Sequence, residues 1–163
     1  MRTVLAGKLC SIVLLVAIAV LAALGTGAWS NATSAAVAQP AGGAAAPVED
    51  DLHEFMEYVF EPTFERLKAA MAAKEKDDAK WKAVKSDALI LAEGGNLLLI
   101  RKPDEDAADW TKHAVAARDA GGELYRAAKA KDANAAGTRY RAMIARCNAC
   151  HEQFSAGEPM LEP

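Results

Sequence analysis

Aromatic residues are scarce in this sequence: phenylalanine, tryptophan and tyrosine together make up 6% of its 163 residues. No stretch shows the apolar and polar alternation of a half-buried β-strand, which argues against folds that contain βαβ units. The apolar positions instead recur three and four residues apart and are rich in alanine. Because alanine buries little apolar surface, the helices alone are expected to form a weak core. These features predict an all-α protein.

An excess of positive charge is also missing. The 19 Lys and Arg residues are outnumbered by 22 Asp and Glu residues, which gives a formal net charge of −3. An acidic surface is poorly suited to a phosphate backbone, so no nucleic-acid binding is predicted. Charges of both signs are spread along the chain, and such a surface is compatible with redox protein partners.

Charged residues are absent between Lys8 and Glu49. Arg2 and Lys8 precede an apolar run over residues 9–24, which is the pattern of an export signal. Residues 36–38, Ala-Val-Ala, form a small-x-small cleavage site. The alternative is an uncleaved membrane anchor, although the apolar run is at the short end of the length that spans a bilayer. Both interpretations predict a periplasmic location for the folded part.

The sequence predicts four helices in one domain. We predict a signal peptide over residues 1–38, a linker over 39–49, a helical domain over 50–157 and a tail over 158–163. The first helix follows the acidic residues 49–51 and is interrupted at Pro62. Three further helices are predicted over about 78–101, 104–131 and 132–156. Because short connections make each helix the neighbour of the next, the predicted fold is an antiparallel up-down-up-down four-helix bundle.

Two of the three cysteines, Cys147 and Cys150, form a pair that is followed directly by His151. Cys-x-x-Cys-His is the pattern of a c-type haem attachment site. Each thiol can add to one haem vinyl group, and the imidazole that follows can bind the iron axially. An export signal fits this chemistry, because bacteria attach haem c outside the cytoplasm. We therefore predict one covalent haem c, anchored by Cys147 and Cys150, with His151 as a ligand to the iron.

Three other interpretations of the motif are weaker. A thioredoxin-like redox pair needs a βαβ context, which this sequence lacks. A structural zinc site needs four nitrogen or sulfur ligands, and the fourth would have to be the distant His53 or His113. A disulfide between the two cysteines would close only a very short loop.

Two side chains of the first helix are candidates for the other axial position. In an up-down-up-down bundle, residues 52–60, residues 94–96 and Trp110 lie level with the haem motif. Met56 lies near the middle of the apolar stripe of the first helix, and a thioether is a known axial ligand. His53 lies at the flank of that stripe. We predict Met56 as the second metal ligand, with His53 or no protein ligand as alternatives.

The remaining candidates are expected away from the iron. His113 lies off the apolar seam and is expected at the surface, and Met160 is expected in a flexible tail. Gly94 and Gly95 stand in the middle of a predicted helix, where glycine is costly. They either let a flat ring or a neighbouring helix come close, or they break the helix. Trp110 is expected in the core.

The chain resembles a known family in two stretches: residues 146–154, Arg-Cys-Asn-Ala-Cys-His-Glu-Gln-Phe, and residues 55–59, Phe-Met-Glu-Tyr-Val. Both are similar to class II cytochromes c, the cytochromes c-prime and their low-spin relatives. The resemblance implies that Met56 marks a low-spin, six-coordinate electron carrier, since gas-binding members have an apolar residue there. Members of that family often form homodimers through the first helices. Tyr58 and Phe64 are expected to be exposed there, which would permit a homodimer without requiring one.

The residues and the resemblance together predict an exported monohaem cytochrome that carries single electrons. No general base, nucleophile or second metal site accompanies the motif, so no enzymatic activity is predicted. One alternative is a gas-binding or sensing protein with an open distal face beneath Leu52, Phe55 and Met56. Another is a haem-free bundle whose cysteines bind zinc. Membrane association is expected only if the N-terminal segment is retained.

Overall fold

The computed structural model of the chain describes residues 43, 45–157 and 159–163. In this part of the chain all regular secondary structure is helical, and it forms four helices. The first helix has three consecutive pieces: α1 (Leu52–Phe55), a π-helical segment (Met56–Phe60) and α2 (Glu61–Ala72). The other three are α3 (Asp78–Leu99), α4 (Ala107–Lys129) and α5 (Ala133–Phe154). The prediction of four helices is confirmed, and their ends lie within a few residues of the predicted ones.

The chain separates into two units, residues 1–44 and residues 45–163. Only Gly43 of the first unit is described, so the predicted signal peptide over residues 1–38 and its cleavage sites lie outside the described residues. Residues 45–50 precede the first helix without helical structure. None of the described helices combines the length and the apolar character needed to cross a membrane.

Aspartate side chains cap the starts of three described helices. Asp51, Asp77 and Asp132 each accept a hydrogen bond from a backbone N–H of the following turn, at 2.7, 2.8 and 2.9 Å. A carboxylate in this position satisfies an N–H group that has no partner within the helix. The turn between α4 and α5 is tight, with Lys131 in the left-handed region at a φ of 54°. These local signals explain why the helix starts can be predicted from the sequence.

The interruption predicted at Pro62 takes the form of the π-helical segment just before it. The backbone N–H of Glu61 donates to the carbonyl of Met56, five residues back. Pro62 has no N–H to donate, and the hydroxyl of Thr63 donates to the carbonyl of Val59 at 2.7 Å. The helix therefore continues through the proline, and the wider π turn begins at the predicted ligand Met56.

All four helices contribute to one large core. Its largest fully buried side chains are Leu67 of α2, Val84 of α3, Leu124 of α4 and Met143 of α5. Close helix-to-helix packing among the described residues joins α2 to α3, α3 to α4 and α4 to α5. The first helix and α5 meet through side chains of the shared core, such as Leu67 and Met143. The architecture is that of a helical bundle.

The exposure of one α2 side chain differs from the prediction made from the sequence. Phe64 is only 7% exposed and lies in the large core, so the prediction that it is exposed is wrong, whereas Tyr58 is 65% exposed. The wider π turn rotates the faces of α2 relative to those of an unbroken α-helix, which accounts for the difference. Arg66 of α2 forms a 2.9 Å ion pair with Asp87 of α3, whose side chain is buried.

Glycines allow α3 and α4 to approach closely. A Cβ added to Gly95 would lie 2.8 Å from the backbone nitrogen of Arg118, and one added to Gly121 would lie 3.0 Å from the backbone of Ala92. Helix α3 runs unbroken through Gly94 and Gly95. The alternative that the helix breaks at these glycines is therefore wrong.

A second, smaller group of apolar side chains is called here the end cluster. It joins the start of the first helix, the end of α3, the start of α4 and the end of α5. Its buried members are Phe55, Leu98, Trp110 and Ala114, and the half-buried side chains packed on them are Leu52, Met56, Val59, Phe60, Leu99 and Phe154.

Candidate functional site

The Cys-x-x-Cys-His motif lies within the last two turns of α5. The helix is continuous through the motif, and the backbone N–H of Ser155 donates to the carbonyl of His151 at 2.8 Å. Residues three and four apart share a face of an α-helix. Cys147 therefore has both Cys150 and His151 as neighbours on one face of α5.

The two cysteines are half-buried free thiols. Burial raises the pKa of the Cys147 thiol to about 11, and the adjacent Cys150 contributes to this rise. Burial also raises the pKa of Cys150. Both sulfurs are therefore neutral thiols near pH 7.

His151 is half-buried near the C-terminal end of α5, and its Nδ1 atom is shielded from solvent. The C-terminal end of a helix carries a partial negative charge, which favours the binding of a metal cation by a side chain at that end. A histidine that binds a metal through one nitrogen is usually oriented by the other.

Met56 lies in the end cluster together with Phe154, which follows His151 by three residues on α5. The ring of Phe154 meets Trp110 edge to face at a centroid distance of 5.1 Å. The indole N–H of Trp110 donates to the carbonyl of Leu98 at 2.8 Å. The structure thus brings Met56 and Trp110 to the end of α5, in the region that the sequence predicted for both residues.

The two other histidines lie in different surroundings. The side chain of His53 is 75% exposed and lies 3.9 Å from the carboxylate of Glu57. His113 is half-buried, and its Nε2 lies 2.9 Å from Oε1 of Gln153. This contact lies at the exposed surface and joins the early part of α4 to the end of α5. Among the residues expected near the motif, Asn96 is exposed and bonded to Glu93.

Two contacts, one at the motif and one at the end cluster, were not predicted from the sequence. Asn148, between the two cysteines, is hydrogen-bonded to Leu161, whose side chain packs on the large core. Leu161, in the predicted tail, is therefore hydrogen-bonded to the motif, and Met160 beside it is 51% exposed. Arg101 lies over the ring of Phe55 at 3.7 Å from the centroid. Neither contact could be predicted from the periodicity of apolar residues, because each joins residues that are distant along the chain.

The described residues do not provide a ready-made zinc site. Within them, no group of three or more His, Cys, Asp or Glu side chains is arranged to hold a metal ion. The histidines proposed as a fourth zinc ligand, His53 and His113, make contacts with Glu57 and Gln153 instead.

Comparison with known proteins adds no assignment: no family model matches the chain, and no curated protein sequence is significantly similar to it. A function has to be argued from the side chains of the motif and of the end cluster.

Proposed function

We propose that this chain is an exported class II c-type cytochrome that carries single electrons on one covalent haem c. Cys147 and Cys150 would form the thioether anchors, and His151 and Met56 would be the axial ligands. One observation carries this proposal. The two thiols and the imidazole share one face of a continuous helix, and the end of that helix packs on the apolar cluster that contains Met56.

The donor set fits a haem c. Two adjacent thiols are available for the two vinyl groups, and an imidazole and a thioether are available as axial ligands. The end cluster offers apolar and aromatic side chains, which suit the faces of a porphyrin. Side chains of the first helix and of the end of α5, Met56 and Phe154 among them, pack on this same cluster.

When bound, the haem would supply the electron chemistry, with its iron alternating between the ferric and ferrous states. The chain's own residues would hold the group and exclude water from it. Phe55 and Trp110 are 5% and 3% exposed, so the end cluster provides a largely dry wall. Fixed ligands in a dry site keep the rearrangement small when the charge changes.

The proposal includes an antiparallel arrangement of the helices, which several contacts support. Lys131, just after α4, bonds to Asp78 at the start of α3 at 2.7 Å. Trp110 at the start of α4 bonds to Leu98 near the end of α3. His113, early in α4, bonds to Gln153 near the end of α5.

A second candidate function is the binding of a diatomic gas such as NO or CO at an open distal face. The observation in its favour is the apolar surroundings of Met56, where Leu52 and Phe55 could cover a five-coordinate iron. In this version Met56 is a packing residue and binds no metal. The two candidates therefore differ in one bond, the one between Met56 and the iron.

An absorption spectrum and a carbon monoxide titration separate the two candidates. The protein is produced with haem-attachment machinery, and the oxidised form is expected to show the weak far-red band of methionine-to-iron ligation. The reduced form is expected to resist carbon monoxide at neutral pH. Met56→Leu should remove the band and allow rapid binding, because leucine keeps the volume and removes the thioether.

Met71→Leu is the matched control, because Met71 is also half-buried on the first helix but packs on the large core. This variant should keep the band. Rapid, stoichiometric carbon monoxide binding by the unmodified protein would overturn methionine ligation and favour the gas-binding function.

A further inference from the structure

The ring of Phe60 occupies a hollow on α3 that exists because residue 94 is glycine. A Cβ added to Gly94 would lie 2.6 Å from Cζ and 3.0 Å from Cε2 of the Phe60 ring. Carbon atoms that are not bonded prefer separations of about 3.5–4.0 Å. Any side chain at position 94 would therefore displace the ring.

Phe60 is also the last residue of the π-helical segment that begins at Met56. The hydrogen bond from the N–H of Glu61 to the carbonyl of Met56 ties the two ends of this segment together. In addition, the Phe60 ring packs edge to face on Phe55, at a centroid distance of 5.6 Å and an interplanar angle of 75°. Phe60 is thus linked to Met56 in two ways. One is the backbone of the π-helical segment, and the other is the contact with the ring of Phe55, the residue directly before Met56.

We propose that the seating of Phe60 against Gly94 positions Met56 as the distal ligand to the iron. This inference rests on the proposed function. A π-helical turn is rare in proteins and is often found at functional sites. Because the Phe60 ring fits α3 only when it lies over Gly94, that contact fixes the π turn, and the turn sets the direction of Met56. Gly94 and Phe60 are therefore positioning residues.

Gly94→Ala tests the inference, because the added methyl group pushes the tip of a side chain and leaves the backbone of α3 in place. The variant is expected to lose the methionine-to-iron band and to bind carbon monoxide when reduced. Gly121→Ala is the matched control, since it crowds Ala92 at the contact between α3 and α4 and does not touch Phe60. It is expected to lose stability and to keep the band.

A second variant, Phe60→Leu, keeps Gly94 and removes the ring that fills the hollow. It should weaken the same band, and it decides the question if Gly94→Ala does not fold. Retention of the full band in a folded Gly94→Ala protein, or in Phe60→Leu when the first variant does not fold, would overturn this inference and leave the proposed function intact. Absence of the band from the unmodified protein would overturn methionine ligation and this inference together.

Discussion

Asn148 and Leu161 are joined by two hydrogen bonds that run in opposite directions. The backbone N–H of Leu161 donates to Oδ1 of Asn148 at 2.8 Å, and Nδ2 of Asn148 donates to the Leu161 carbonyl at 3.0 Å. Because Asn148 stands between the two cysteines, the C-terminal tail is attached at the motif itself. Lys68 of α2 donates to the carbonyl of Glu162 at 3.0 Å. The tail therefore bridges α5 and the first helix.

Asn148→Ala removes both of these bonds and is expected to lower the free energy of unfolding by about 1–2 kcal/mol. Urea denaturation of the purified protein measures this change. The matched control is Asn96→Ala, because the Asn96 amide bonds only to Glu93 on the exposed surface of α3. The control should change the stability by less than about 0.5 kcal/mol. Equal losses of unfolding free energy in the two variants would show that the contact between Asn148 and the tail does not stabilise the fold.

Arg66→Ala leaves the carboxylate of Asp87 buried without its cation. The Arg66 side chain is 54% exposed and the buried partner is the Asp87 carboxylate. Leaving a buried acceptor without its donor costs about 1–3 kcal/mol, and a loss in this range is expected in the same denaturation experiment. Arg139→Ala breaks an ion pair with Glu123 in which both side chains are largely exposed. That control should lose at most about 1 kcal/mol. Equal losses of stability in the two variants would contradict the expectation that the burial of the Asp87 carboxylate makes its ion pair the stronger one.

Tyr140 makes the stability of the folded chain sensitive to alkaline pH. Burial, with a contribution from the charge of Glu65, raises the pKa of Tyr140 to about 12. An unfolded tyrosine titrates near pH ~10, so above that pH the unfolded chain releases a proton that the folded chain still holds. The contribution of this group is complete below pH ~10 and is lost as the pH rises towards 12.

Tyr140→Phe should therefore lose less stability than the unmodified protein between pH ~10 and ~12. At pH 7 the variant should be at least as stable, because among the described residues the Tyr140 hydroxyl is buried without a hydrogen-bond partner. Urea denaturation across this pH range measures both effects, with Tyr58→Phe as an exposed control. If the free energy of unfolding of Tyr140→Phe and of the unmodified protein fell in parallel with pH, Tyr140 would not be the source of the alkaline sensitivity.

The helices could be predicted because their signals are local. Apolar residues recur at helical spacing, and aspartates such as Asp51 and Asp132 stand where a helix start needs a hydrogen-bond acceptor. The motif that carries the proposed function is also local, since Cys147, Cys150 and His151 lie on one helix face by spacing alone.

Features that depend on contacts between helices could not be predicted in this way. Pro62 indicated a disturbance, but its spacing did not predict a π-helical segment over Met56–Phe60. Phe64 was expected at the surface, because the wider π turn that rotates α2 has no sequence signature. The position of His113 depends on how α4 is rotated against α5, and periodicity within α4 does not determine that rotation.

The intact mass of protein matured in cells that supply haem-attachment machinery tests the central claim most directly. The predicted mass is that of the polypeptide, with or without residues 1–38, plus one haem. The haem is expected to be retained when Cys147 or Cys150 alone is replaced by alanine and lost when both are replaced. A mass equal to that of the polypeptide alone, with both thiols open to alkylation, would contradict the proposed cytochrome.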